Sequence, residues 1–421
     1  MNYVVGDHVV SYRLAGRELL VCEPGTLAYG HTIVELVHGL ALARRSGADV
    51  VIVKDPEITN RALYELELDG IRVLRGGPLR SLVLLKHFAA KQRLDVDAFR
   101  HELGVELKHR TRETNLSQRG RLAVGAIRKR NDDAITKPVS DSSYFRRDLM
   151  VTPLGARLRY EAHTHARIQA ESLGLAPDAP VVCLHVREPG FKWGREQEDK
   201  EWKSVIRMDV VRNASIVHHF PACDELVAQG YTVVRIGDPS MTSVKRKGYI
   251  DLATSERRNG LLELYCMFRA ELLIVGESGP NVLGYLTDTP ILCVNATDPF
   301  SSYPARHDGH VMFKQVVDRQ TGRPLRVSEL IEDEYLGDLR NPTRYRFDEN
   351  TPEELVAAVR ESIEWIRGNG VETERQAAFR DRITKTSLEQ RERSTYVRKW
   401  GPENGFLGNG RVVDFQLAER Q

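Results

Sequence analysis

The feature that most constrains this chain is a rhythm that begins after the turn LAPDAP (175–180): short, wholly apolar runs separated by stretches with helical spacing. The runs are VVCLHV (181–186), YTVVRI (231–236), ELLIV (271–275) and PILCV (290–294). A strand that is apolar at nearly every position has both faces covered, so it belongs in a parallel sheet and not in a half-solvated antiparallel one. Residues 215–229 and 261–269 read as crossover helices, and 281–287 opens another. Parallel neighbours need crossovers of that size, so a doubly wound α/β unit is predicted.

The same rhythm occurs earlier. RELLVC (17–22) reads as a strand, EPGTLAYGH (23–31) as a turn, 32–46 as a helix and ADVVIV (48–53) as a buried strand. A helix over 60–69 and a strand over 71–74 follow. A chain of 421 residues has room for two such halves at roughly 100–200 residues per domain. We expect an N-terminal α/β domain over 1–175, a second over 176–350 and C-terminal helices over 351–421 that pack back across both. Thr351, Pro352 and Glu354 form a helix-start signature for the last part. Residues 79–140 break the pattern, with basic clusters at 108–112 and 119–130. They are expected to be a charged helical insertion, either a solvated face or a basic surface for an anionic acceptor or lipid headgroup.

Charge and composition exclude several classes. Lys and Arg number 61 against 59 Asp and Glu, a net charge of +2, so nucleic acid is not an expected partner. No apolar run nears the ~20 residues that span a bilayer. The opening MNYVVGDHVVSYRLAG lacks the layout of a signal peptide, so a cytoplasmic location is expected, with peripheral membrane contact compatible. Five scattered cysteines without C-x-x-C spacing read as buried free thiols. The oligomeric state is not legible.

Open parallel sheets bind ligands beyond the carboxyl ends of their strands, which directs attention to the residues after each run. After VVCLHV come Arg187, Glu188, Pro189 and Gly190. Arg187 is placed either to bind phosphate with its fork of donors or to pair with Glu188. His185, inside the run, is either a ligand contact or a satisfied core residue. After YTVVRI, Gly237 and Asp238 either let the backbone approach a ligand or simply make a tight turn, and Arg235 lies in the run. After ELLIVG come Glu277, Ser278, Gly279, Pro280 and Asn281, where a helix start would offer N–H groups to an anion. Ser278 is alternatively a plain helix cap. Arg207, Asp209, Arg212 and Asn213 cluster before a helix, as donor or acceptor contacts or as loop polar residues. In the first half, Tyr29 and Gly30 would line the cleft, and His31 with Glu35 one turn on could be a general base and its orienter, or a structural pair. No D-x-D stands at a strand end and no His/Cys cluster has ligand spacing, so no metal and no other cofactor is expected. Neither G-x-x-x-x-G-K-[ST] nor G-x-G-x-x-G occurs at these turns.

Taken together, HVRE (185–188), RNASI (212–216), GYTVVRIGD (230–238), YIDLA (249–253), ELLIVGESGP (271–280) and YGHTIVE (29–35) resemble a family of bacterial glycosyltransferases found near surface-polysaccharide and secondary-metabolite loci. The wider resemblance is to nucleotide-sugar transferases of GT-B type, whose fucosyltransferase branch carries a comparable H-x-R element. The resemblance implies two Rossmann-like, doubly wound parallel-sheet domains facing each other. It also implies a nucleotide-sugar donor, a glycan, lipid-linked or small-molecule acceptor, and transfer without a metal ion. Arg187 would meet the donor diphosphate, and Ser278 and Gly279 its phosphates. The fucosyltransferase element has a second Arg where this chain has Glu188, so a GDP-fucose donor does not follow. Two rival readings use the same fold: a nucleotide-sugar epimerase or hydrolase, and a non-catalytic nucleotide-binding scaffold.

Overall fold

The computed structural model describes residues 9–14, 17–22, 33, 36–37, 39–41, 43–44, 47–48, 50–53, 61–74, 81, 150–189, 210–390 and 408–419. The basic clusters, Tyr29, Gly30, His31, Glu35, Arg207 and Asp209 lie outside those residues.

The first sheet has the order β1 (Val9–Leu14), β2 (Arg17–Cys22), β3 (Val50–Val53), β5 (Arg72–Leu74). β2, β3 and β5 are parallel, and β1 adds an antiparallel hairpin edge. Helical residues Ile33, Leu36, Val37, Leu40 and Ala41 are buried at the spacing of one helix face, as the apolar period predicts. The helix expected over 60–69 is not formed. A 3-10 turn, Arg61–Glu65, gives way to β4 (Leu66–Leu68), which pairs antiparallel with β6 (Ala156–Leu158). Leu66 and Leu68 are both buried, so the period of two wins once a partner strand is present.

Helix α1 (Tyr160–Ser172) leads into the second sheet. Its seven strands are all parallel, in the order β9 (Tyr249–Asp251), β8 (Thr232–Arg235), β7 (Val181–His185), β10 (Ala270–Val275), β11 (Ile291–Ala296), β12 (His310–Phe313), β15 (Arg411–Val412). The four sequence-predicted strands form the centre, and β9, β12 and β15 extend it. Alternate residues of β7 enter two separate cores. Val181 and Cys183 join one with Leu262 and Tyr265 of helix α3 (Gly260–Arg269). Val182 and Leu184 join the other with Leu226 of α2 (Ile216–Ala228) and Leu355 and Val359 of α6 (Pro352–Ile366). That two-sided burial is why the strand reads as a continuous apolar run. The chain is thus α/β and doubly wound.

The capping signature holds at α6, where the Thr351 hydroxyl accepts from Glu354 N and the Glu354 carboxylate accepts from Thr351 N. Cys183, Cys223, Cys266 and Cys293 are free and buried, as expected of them. No described helix is long and apolar enough to cross a membrane.

Candidate functional site

The order of the second sheet fixes where a ligand would sit. The chain runs outward through β7, β8 and β9, then recrosses to lay β10 on the other side of β7. His185 and Val275 are register partners, so the carboxyl ends of β7 and β10 lie side by side. The connections leaving these two ends diverge, and an open parallel sheet has its crevice at such a switch point. Arg187 and Glu188 follow β7 there, and Gly276, Glu277, Ser278 and Gly279 follow β10.

Several predicted residues meet in this crevice. The Arg187 Nε–H donates to Asn213 Oδ1 at 3.2 Å, and Ala214 N donates back to Arg187 O at 3.0 Å. Arg212 Nη1 donates to Glu277 O at 3.3 Å. The 212–215 segment is therefore laid across the ends of β7 and β10 before Ser215 caps α2 through its hydroxyl. Ser278 does not cap the turn after it. Its hydroxyl lies 3.1 Å from His185 Nδ1 and donates to Gly276 O at 3.3 Å. His185 is buried, and desolvation, then Arg187 and Arg235, hold its ring down to about 3, so it is neutral near pH 7.

Other predicted contacts are placed differently. The helix expected after Asn281 is shorter than its sequence suggests: a 3-10 turn, Gly279–Val282, followed by α4 (Leu283–Leu286). Any dipole it offers an anion is correspondingly small. Arg235, at the end of β8, is a candidate donor contact by sequence but is completely buried. Its guanidinium donates to Glu188 Oε1, to Thr242 O and, at 3.4 Å, to Asp251 Oδ2. Glu188 Oε2 accepts from both Thr242 N and Oγ1 at 2.8 Å. Glu188 and Arg235 thus fasten the loop after β8, because a buried guanidinium must find carboxylates or carbonyls inside the protein. Gly237 (φ 145°) lies flat against that site, and a Cβ there would meet Met241 Sδ at 2.6 Å and His185 Cδ2 at 3.2 Å. Asp238 Oδ1 accepts from Ser240 N at 2.9 Å, which makes the tight turn.

Glu277 has its own supports. Its Oε2 accepts from Thr297 N at 2.9 Å and Thr297 Oγ1 at 2.6 Å, and its Oε1 from Ser301 Oγ and Arg340. Arg340 adopts a left-handed backbone (φ 60°) and also reaches Asp298.

Sequence reasoning missed Arg340 and Lys314. Lys314, just after β12, is 3% exposed, and its Nζ donates to Asn213 O at 2.6 Å. A lysine closing an apolar run, HVMFK, is the signal that could have found it. The site therefore gathers Arg187, Arg212 and Lys314 on the 212–214 segment above the switch point.

No family model matches this chain, and no curated protein matches it. Similar solved structures include a glycosyl transferase family 9 structure from Veillonella parvula, at 13% identity over 67% of this chain and 82% of the other, with a TM-score of 0.35. E. coli ADP-heptose LPS heptosyltransferase II matches at 12% identity over 83% and 99%, with a TM-score of 0.39. NodZ α-1,6-fucosyltransferase soaked with GDP-fucose matches at 14% identity over 61% and 87%, with a TM-score of 0.25. Identities and scores this low assign no activity.

Proposed function

We propose that this chain is a glycosyltransferase that moves a sugar from a nucleotide-diphosphate sugar to a hydroxyl of a glycan, lipid-linked or small-molecule acceptor. The observation that carries the reading is the gathering of Arg187, Arg212 and Lys314 beyond the carboxyl ends of β7 and β10. Cations at a switch point suit an anionic, phosphate-bearing ligand. The transfer in this reading is inverting and metal-independent and takes place in the cytoplasm.

The acceptor oxygen attacks the anomeric carbon as the bond from that carbon to the diphosphate oxygen breaks. The acceptor proton passes to a base, for which His31 held by Glu35 is our candidate. The leaving diphosphate takes the electron pair, and its new charge falls to Arg187, with Ser278, Gly279 and Asn281 lining the phosphates. His185, neutral and bonded to Ser278, orients that turn. Arg235 and Glu188 act behind the site by fixing the loop that carries Gly237 and Asp238. Tyr29, Gly30, Arg207 and Asp209 are our candidates for contacts with the acceptor.

Fixed donors aimed at developing charge are each worth roughly 3–4 kcal/mol. Arg187→Ala should therefore lower turnover by about a hundredfold or more with the fold intact. The assay comes in two stages. A thermal-shift screen against UDP, GDP, ADP, CMP and dTDP species finds the base, and release of nucleotide from the matching sugar donor is then followed with and without acceptors. Release that needs no acceptor would make the enzyme an epimerase or hydrolase. No stabilisation by any of these nucleotides would sink the reading altogether.

A further inference from the structure

Lys314 is an unusual way to hold a loop. β12 is separated from β7 by β11 and β10, yet the Lys314 side chain reaches Asn213, whose side chain accepts from Arg187. Among the described residues its one hydrogen bond is to a neutral backbone carbonyl, which a neutral amide or hydroxyl donor could satisfy equally well. Burying an ammonium instead is costly unless an anion is nearby to use it.

We propose that Lys314 is a positioning residue of the donor site: it pins Asn213, through Asn213 sets the Arg187 guanidinium, and adds its own charge to the binding of a nucleoside diphosphate. This rests on the donor-site reading above. The charged groups that act on the ammonium are Asp348, the last residue of β14 (Tyr345–Asp348), and Glu349, which follows it. Glu349 is also engaged by Ser215 N at 2.7 Å. Desolvation holds the Lys314 ammonium down to about 8, against the pull of Glu349 and Asp348. A bound diphosphate would push it back up, so binding would take up a proton near pH 8 to 9.

The test is calorimetric titration of the full chain, its Lys314→Gln variant and its Arg187→Ala variant with UDP, GDP, ADP and inorganic pyrophosphate. Whichever probe binds the wild type at about pH 7 should bind roughly tenfold more weakly at about pH 9. Lys314→Gln should bind roughly tenfold more weakly at about pH 7 and lose nothing further at about pH 9. Equal affinity in wild type and Lys314→Gln, or an identical pH dependence in both, overturns the proposal. Titrating the wild type at about pH 8.5 in two buffers of different ionisation enthalpy needs no variant. Proton uptake supports the role and zero uptake overturns it. Failure of the underlying reading looks different: the wild type binds none of the four probes at any pH, and both ideas then fall.

Discussion

At Lys314, folding and binding make opposite demands. The ammonium has a pKa of 10.5 when exposed in the unfolded chain and about 8 when buried. Below about pH 8 both states are protonated, and the folded state carries the full cost of the buried charge. Between about 8 and 10.5 the folded state has released the proton and the unfolded state has not, so stability rises with pH across that window. The cost at pH 7 is roughly 3 kcal/mol, and the bond to Asn213 returns about 1 kcal/mol of it. Lys314→Met should therefore unfold at equal or higher urea than the wild type at neutral pH, while losing affinity for nucleoside diphosphates. A variant that unfolds earlier would mark the lysine as scaffolding. The same residue shows a limit of reading side chains from sequence. Arg187 was legible because it follows a long apolar run that fixes it at a strand end. Lys314 was overlooked because its run, HVMF, has only four residues. For Arg235, nothing local in the sequence distinguishes a guanidinium facing a crevice from one buried against Glu188 and Asp251.

Among the elements, the loops after β7 and β8 behave as one fastened unit. Side-chain exposure is 0% for Arg235 and 10% for Glu188, and Asp251 stands farther off at 3.4 Å. Removing one partner of such a pair leaves a buried charge short of compensation, at a cost of roughly 3–5 kcal/mol. We expect Glu188→Ala to lower the melting temperature clearly and to free the Thr242 backbone, raising amide exchange there. Unchanged melting and exchange would return Glu188 to the ligand side, where its sequence position first put it. The central strands and their crossovers were legible because two-sided burial writes itself into consecutive apolar residues. The outer strands carry weaker signals. β9 is half-buried at all three positions, and β15 has two residues. β4 could not be recognised from 66–68, since its partner β6 begins at Ala156 and only that pairing overrides the helical spacing of RALYEL.

For the molecule as a whole, the doubly wound sheet buries three histidines in its second half. His185 ends β7, His219 lies in α2 and His310 opens β12. Desolvation is the leading cause for each, and they are held down to about 3, about 4 and about 3. All three stay neutral when folded and take up a proton near pH 6.5 when unfolded, so stability is full above that pH and falls as the medium is acidified. By about pH 5 each has withdrawn roughly 2 kcal/mol. Three together are comparable to the total stability of a typical domain, about 5–15 kcal/mol. Circular-dichroism melts from about pH 7.5 downward should show a steep loss of stability with an acid transition near pH 5. His310 gives the cleanest assignment. Neither ring nitrogen has a hydrogen-bond partner among the described residues, and the ring stands edge-on to Trp365 at 5.9 Å. His310→Phe therefore removes a protonation site without breaking a hydrogen bond, giving up only the 3.7 Å approach of Nε2 to Glu361 Oε1, and the acid transition should move to lower pH while neutral stability holds. A transition that stays where it was in His310→Phe would mean that the buried histidines do not set the acid limit of this fold.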